Sequence, residues 1–97
     1  MAEVVLGKQA LADLERLFEF LAIENPRWAA EAVRIIDDGL QILRTHPLVG
    51  RPVPGSSQRE LVISKGSSGY LALYRYDEAA DEAVIMAIRH QRESGYN

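Results

Sequence analysis

Cysteine is absent from the 97-residue chain, which removes disulfide scaffolds, thiolate metal sites and thiol nucleophiles from consideration. Only two histidines are present, His46 and His90, too few to hold a zinc ion without thiolate help, so neither a metal nor another cofactor is expected. The longest unbroken apolar run is Ala83–Ile88, far short of the ~20 residues that a membrane-spanning helix requires. The opening MAEVVLGK has neither the basic start nor the apolar stretch of a signal peptide. The expectation is a cytoplasmic protein without a membrane partner. Gly66-Ser-Ser-Gly69 leads into strand-forming residues rather than a helix, so it is not a dinucleotide loop. At this length one domain, residues 1–97, is expected, with a core large enough to fold but with little margin.

The formal charge is −3, from eleven Lys and Arg against fourteen Asp and Glu. Taken whole, that argues against an anionic partner. Its distribution does not. Residues 1–50 carry five bases and eight acids, which is the whole −3. Residues 51–97 carry six of each, but Asp77, Glu78, Asp81 and Glu82 crowd into one turn. The remainder of that half is six bases against Glu60 and Glu93, or +4.

Periodicity gives the elements. Residues 2–6 are short, apolar and partly β-branched, and read as a strand. From Lys8 to about Glu24, Ala10, Leu11, Leu14, Leu17, Phe18 and Leu21 recur at three- and four-residue steps, with Asp13, Glu15 and Arg16 on the polar side. Asn25-Pro26 caps and opens a second helix, which carries Trp28, Ala32, Ile36 and Leu40 and stops near Thr45, ahead of Pro47. Residues 46–58, with three prolines and two glycines, form the one long connection. Strands are expected at 59–63, 70–76 and 83–90, with turns at Lys65–Gly69 and Asp77–Glu82. The order β-α-α-β-β-β implies a two-layer α+β domain, with an N-terminal strand, an antiparallel helical hairpin and a three-stranded antiparallel meander.

A symmetrical Asp77–Glu82 turn pairs Tyr76 with Ala83. It places Leu71 and Leu73 toward the helices, and Tyr70, Tyr74, Tyr76 and Arg89 on an open face. Arginines interleaved with tyrosines suit phosphate gripping and base stacking. Arg59, Tyr74, Arg89, His90 and Arg92 are therefore the candidate target-binding residues. For acid–base chemistry near neutral pH the sequence offers only His90 in the β half, and Glu93 reads as a solvated tail charge.

Read in order, QALADLERLFEFLA, THPLVGRPV, RELVI, GYLALYRYD and VIMAIRHQRE resemble the RelE/ParE superfamily of type II toxin–antitoxin toxins over nearly the full chain. The resemblance implies a helical hairpin on a small antiparallel sheet. For RelE-like members it implies a ribosome-dependent mRNA endonuclease, whose sheet lysines fall here on Leu61 and Ile63 and whose arginine after the Gly-Tyr tyrosine falls on Leu71. The C-terminal arginine falls at Gln91 or Arg92, and the tyrosine at Tyr96. If the chain is a nuclease, the implied catalytic candidates are Arg59, Arg89, His90, Arg92 and Tyr96.

ParE-like members poison DNA gyrase without that set, and their His-x-Arg ending is matched by His90-Gln91-Arg92. The expectation is thus a ParE-like, non-enzymatic gyrase poison in a hetero-oligomer with a ParD-like antitoxin. Its alternatives are a nuclease acting on the ribosome and mRNA, and a non-toxic co-repressor. Leu17, Phe20 and Trp28, if left outside the core, are the implied antitoxin contacts.

Overall fold

A computed structural model describes residues 1–65 and 68–96. Strand β1 (Glu3–Leu6) leads into α1 (Lys8–Glu24) and α2 (Pro26–Leu40), the latter tightening into a 3₁₀ turn at Gln41–Arg44. Strands β2 (Arg51–Pro52), β3 (Arg59–Lys65), β4 (Ser68–Asp77) and β5 (Glu82–His90) follow. They form one sheet in the order β1-β5-β4-β3-β2, with β1 parallel to β5 and every other pair antiparallel. The expected α+β architecture stands. The short β2, inside the proline-rich connection, was not among the expected strands. Of the expected Lys65–Gly69 turn, Gly66 and Ser67 lie outside the described residues, and the strands on either side pair up to Lys65 and Ser68.

The local causes are visible residue by residue. Asn25 sits extended between the helices, and its side chain accepts a hydrogen bond from the Arg27 N–H at 2.9 Å, an N-cap followed by proline in the first turn. Ala29, Ala32, Ile36 and Leu40 form the buried stripe of α2. Gly39 lets that helix approach β3, since a Cβ there would lie 2.5 Å from Cγ2 of Ile63. The core lies between this hairpin and one face of the sheet.

That face is the opposite of the one expected. Tyr76 pairs with Ala83 and Tyr74 with Ile85 as the symmetrical turn requires, but Leu73 then pairs with Ala87. Met86 is an extra residue, a β-bulge that shifts the register by one beyond it. Tyr70, Ala72 and Tyr74 face the helices with Ala83, Ile85 and Ile88, and Tyr74 is completely buried. Leu71, Leu73, Ala87 and Arg89 take the other face. Tyrosine could be an interior residue here because the phenol of Tyr74 finds partners in the connecting loop, as described below.

Asp13 also departs from expectation. It is 1% exposed, not part of a polar helix face. The β1 ladder ends at the Leu6–Ile85 pair, so further along β5 the edge away from β4, where Asp13 meets the Ile88 N–H, has no strand beside it. Asp13 Oδ2 accepts that N–H at 2.8 Å, and Gln9 donates to Oδ1 at 3.0 Å. One side chain thus ties α1 to the outer edge of β5. Asp13→Ala should lower stability by about 1–3 kcal/mol, the cost of stranding a buried amide. Exposed Glu15→Ala should stay within about 0.5 kcal/mol. Urea unfolding monitored by the single tryptophan, Trp28, measures both.

Candidate functional site

The five target-binding candidates and Tyr96 divide among three places. The first is a latch beneath the long connection. Arg59 and Tyr74 are paired across β3 and β4. The Tyr74 hydroxyl donates to the Pro47 carbonyl at 2.8 Å and accepts from the Gly50 N–H at 2.9 Å. Arg59 Nη1 donates to the carbonyls of Leu48 at 3.0 Å and Gly50 at 2.9 Å. Burial pushes the Tyr74 phenol up from its ordinary value, while the Gly50 amide and the Arg59 charge pull it back. Gly50 is required by close approach, since a Cβ would lie 2.6 Å from Cε1 of Tyr74 and 2.8 Å from its hydroxyl. The expectation that Tyr74 presents its ring to a target is corrected: it is a core residue, and its polar end is consumed by the loop.

The second place is the sheet face turned away from the helices. The C-terminal tail folds back over it, so Leu71, although facing outward, is only 9% exposed. Tyr96 donates to Oε2 of Glu60 at 2.8 Å, and the Arg89 guanidinium lies 5.2 Å from the Tyr96 ring centroid. Arg51 pairs with Oε1 of the same Glu60 at 2.7 Å. Arg89 Nη1 also donates to the carbonyls of His90 and Glu93. Burial first, then the Glu60 carboxylate, hold the Tyr96 phenol far above its ordinary value. This is a protonated tyrosine fixed as a donor, unsuited to act as a base at neutral pH.

The third place is a groove of about 650 Å³ on the helix side, between α1 and the ends of β4 and β5. His90 stands at its rim with its ring edge-on to Tyr70, centroids 5.3 Å apart. Its Nδ1 accepts the Arg92 N–H at 3.1 Å. Glu93 is no solvated tail charge: its Oε1 accepts the His90 N–H at 2.8 Å and its Oε2 takes Arg16 Nη1 at 2.6 Å. As neighbours on β5, Arg89 and His90 point to opposite faces and cannot serve one site together, and the bulge at Met86 decides that Arg89 is the one turned away from the helices.

Of the helical candidates, Phe20 is 71% and Trp28 58% exposed, as expected of partner contacts. Leu17 is 7% exposed and belongs to the core, contributing only to the groove floor, so its expected place outside the core is corrected. Among the described residues no three His, Asp or Glu side chains come together as a metal site. Sequence reasoning missed Glu60 and Glu93, the acids that organise the second and third places. Glu60 lay within the quoted RELVI motif, but the inverted face hid its outward direction.

Residues 4–95 match the family described as the ParE toxin of the type II toxin–antitoxin system parDE. The chain belongs to the ParE toxin family. A curated relative, Toxin RelE3 of Caulobacter vibrioides, is 36% identical over 93 residues, covering 96% of this chain and 98% of the relative. Among solved structures, a chain of the chromosomal ParDE system of P. aeruginosa superposes with a TM-score of 0.75 at 22% identity, covering 93% of this chain and 96% of that one, a likeness of fold. A chain of the RelBE2 toxin–antitoxin complex of Mycobacterium tuberculosis gives 0.61 at 26% identity, covering 93% and 98%.

In this ParE-family toxin the positions implied for RelE lysines, Leu61 and Ile63, face the helices, where no phosphate reaches. Their apolar character belongs to the core. Their outward neighbours, Glu60 and Val62, are not bases either.

Tyr74→Phe should destabilise the toxin by about 1–3 kcal/mol, because the Pro47 carbonyl and Gly50 amide lose a buried partner; thermal or urea unfolding reads this. Tyr96 gives a pH dependence with a definite sign. Its folded value is raised, so its contribution is fully present below the unfolded tyrosine value of about 10 and is lost as pH rises above it. Melting temperatures between pH 8 and 11 should fall more steeply for wild type than for Tyr96→Phe.

Proposed function

We propose that this toxin, as the single domain 1–97, arrests growth by binding and poisoning DNA gyrase, catalyses no reaction itself, and is neutralised in the cytoplasm by a ParD-like antitoxin in a hetero-oligomer. The observation that carries the reading is the state of the polar groups on the sheet. Arg59 is spent on loop carbonyls, Arg89 on tail carbonyls and the Tyr96 ring, and Tyr96 is a locked donor to Glu60. A phosphoryl-transfer site needs a base near neutral pH and cations aimed at developing charge. Binding a protein target needs neither. The match to the ParE toxin model and the ParDE-like fold support the same side.

The antitoxin reading rests on the helical hairpin. Phe20, Ile23 and Trp28 are exposed around its turn, next to a groove that combines Leu21 and Tyr70 with Arg16 and Arg92. An acidic, amphipathic segment that folds on binding suits that surface.

A second reading, a ribosome-dependent mRNA endonuclease, is favoured by the relative named Toxin RelE3 and by His90 beside Arg92 in the groove. Purified toxin in a gyrase supercoiling and cleavage assay should give gyrase-dependent DNA breaks, and induced cells should keep their bulk mRNA intact. Codon-proximal mRNA cleavage that His90→Ala abolishes, without DNA damage, would replace the first reading with the second. Unimpaired growth on induction without antitoxin would leave only a co-repressor role.

A further inference from the structure

The latch beneath the connection is built for more than closing a loop. Four hydrogen bonds from one fully buried tyrosine and one arginine fix the backbone of Pro47–Gly50. The two side chains at the centre of that segment point outward: Leu48 is 57% and Val49 50% exposed. Exposed Ile42, whose carbonyl accepts the His46 N–H at 2.9 Å, belongs to the turn just before them. Apolar side chains held in water on a backbone that cannot relax gain nothing for the free protein. They lower the ordering cost of an encounter.

The stretch of sequence around them carries bases and no acids, with Arg51 alone ion-paired among the described residues, to Glu60 beyond it. No carboxylate occurs between Asp38 and Glu60 in a chain of net charge −3, whereas Arg44, Arg51 and Arg59 all fall in that interval. Arg59 places its charge directly behind the loop, and Arg44 and His46 are exposed beside it. The loop also stands apart from the hairpin turn. α2 and its 3₁₀ extension separate the two by roughly 30 Å of helix, so one partner can hold the Phe20–Trp28 end while another meets the loop.

We propose that Pro47–Gly50 is the element by which this toxin seats in its target, with Leu48 and Val49 entering an apolar pocket bordered by carboxylates on a protein surface. The proposal deepens the reading of the chain as a target-binding toxin. A protein is favoured over nucleic acid because the centre of the patch is aliphatic, with the cations at its margin.

The test is Leu48→Ser/Val49→Ser in the full chain, compared with wild type and with Leu11→Ser, an equally exposed apolar residue on α1. Thermal unfolding confirms that all three fold, since neither loop side chain is buried. Growth arrest on induction is the first readout and does not depend on which target is hit. The double variant should require at least tenfold more toxin for the same arrest, and Leu11→Ser should match wild type. Gyrase inhibition is the second readout: if wild type fails to inhibit gyrase while the double variant still loses arrest, the gyrase reading falls and the loop assignment stands. Full arrest by the double variant would overturn the assignment. So would a gel shift of a 30-base-pair duplex that wild type gives and the double variant loses, because that would make the loop a nucleic-acid contact.

Discussion

A phenol with no access to water must place its hydroxyl somewhere, and in this chain that requirement organises one whole end of the molecule. Tyr74 points into the core from the middle of β4, fully buried among Ile85 and the residues of α2. An unpaired hydroxyl there would cost about 1–3 kcal/mol. The chain meets the requirement by bringing Pro47 and Gly50 over the phenol, so that one carbonyl and one amide of an otherwise irregular segment are satisfied as well. Gly50 must then be glycine, Arg59 is drawn in to hold two further carbonyls, and the segment that follows can add β2 to the sheet. The proline-rich connection is thus a fixed surface.

How much of this was legible in the sequence depends on the range of the interaction involved. The helices were, because their signals are local: a 3.6-residue stripe, and Asn25-Pro26 punctuating it. The β3–β4–β5 meander was, because its strands adjoin in sequence. The register of β4 and β5 was readable only as far as Tyr74. No residue near Met86 announces a bulge, since bulges are chosen by what lies above and below a strand rather than by the strand itself. Face assignment failed for a related reason. Tyr70, Ala72 and Tyr74 look like the more polar side of β4 in isolation. They become the interior side only when Pro47 and Gly50, more than twenty residues away, supply partners. Asp13 was unreadable in the same sense: its partner is an amide on β5.

The candidate site suffered most from that inversion. Six residues were singled out for their chemistry, and the side chains of five make polar or ring contacts with the protein itself, whereas exposed Arg92 contributes only its backbone N–H. Arginine and tyrosine are selected at a surface for gripping anions and stacking bases, and the same properties make them good internal fasteners. Sequence spacing cannot distinguish the two uses. Orientation can, and orientation here turns on a single inserted residue that sends Arg89 under the tail and His90 into the groove.

The tail shows why that distinction bears on function. Tyr96 reaches across β4 to Glu60, which already holds Arg51, so two cations, a carboxylate and a phenol form one chain of contacts from β2 to β5. Each charge in that chain has an opposite charge or a ring beside it. Exposed Arg44, whose guanidinium donates to the neutral Gln41 side chain, lies elsewhere, in the stretch between Asp38 and Glu60 that holds no carboxylate. Of the bases that make up the +4 balance of the β half, Arg51, Arg59 and Arg89 are absorbed by Glu60 and by loop and tail carbonyls. A surface that recognises a partner must keep some of its interactions unsatisfied until the partner arrives, and under the tail Arg51, Glu60 and Tyr96 have already spent theirs on neighbours within the chain.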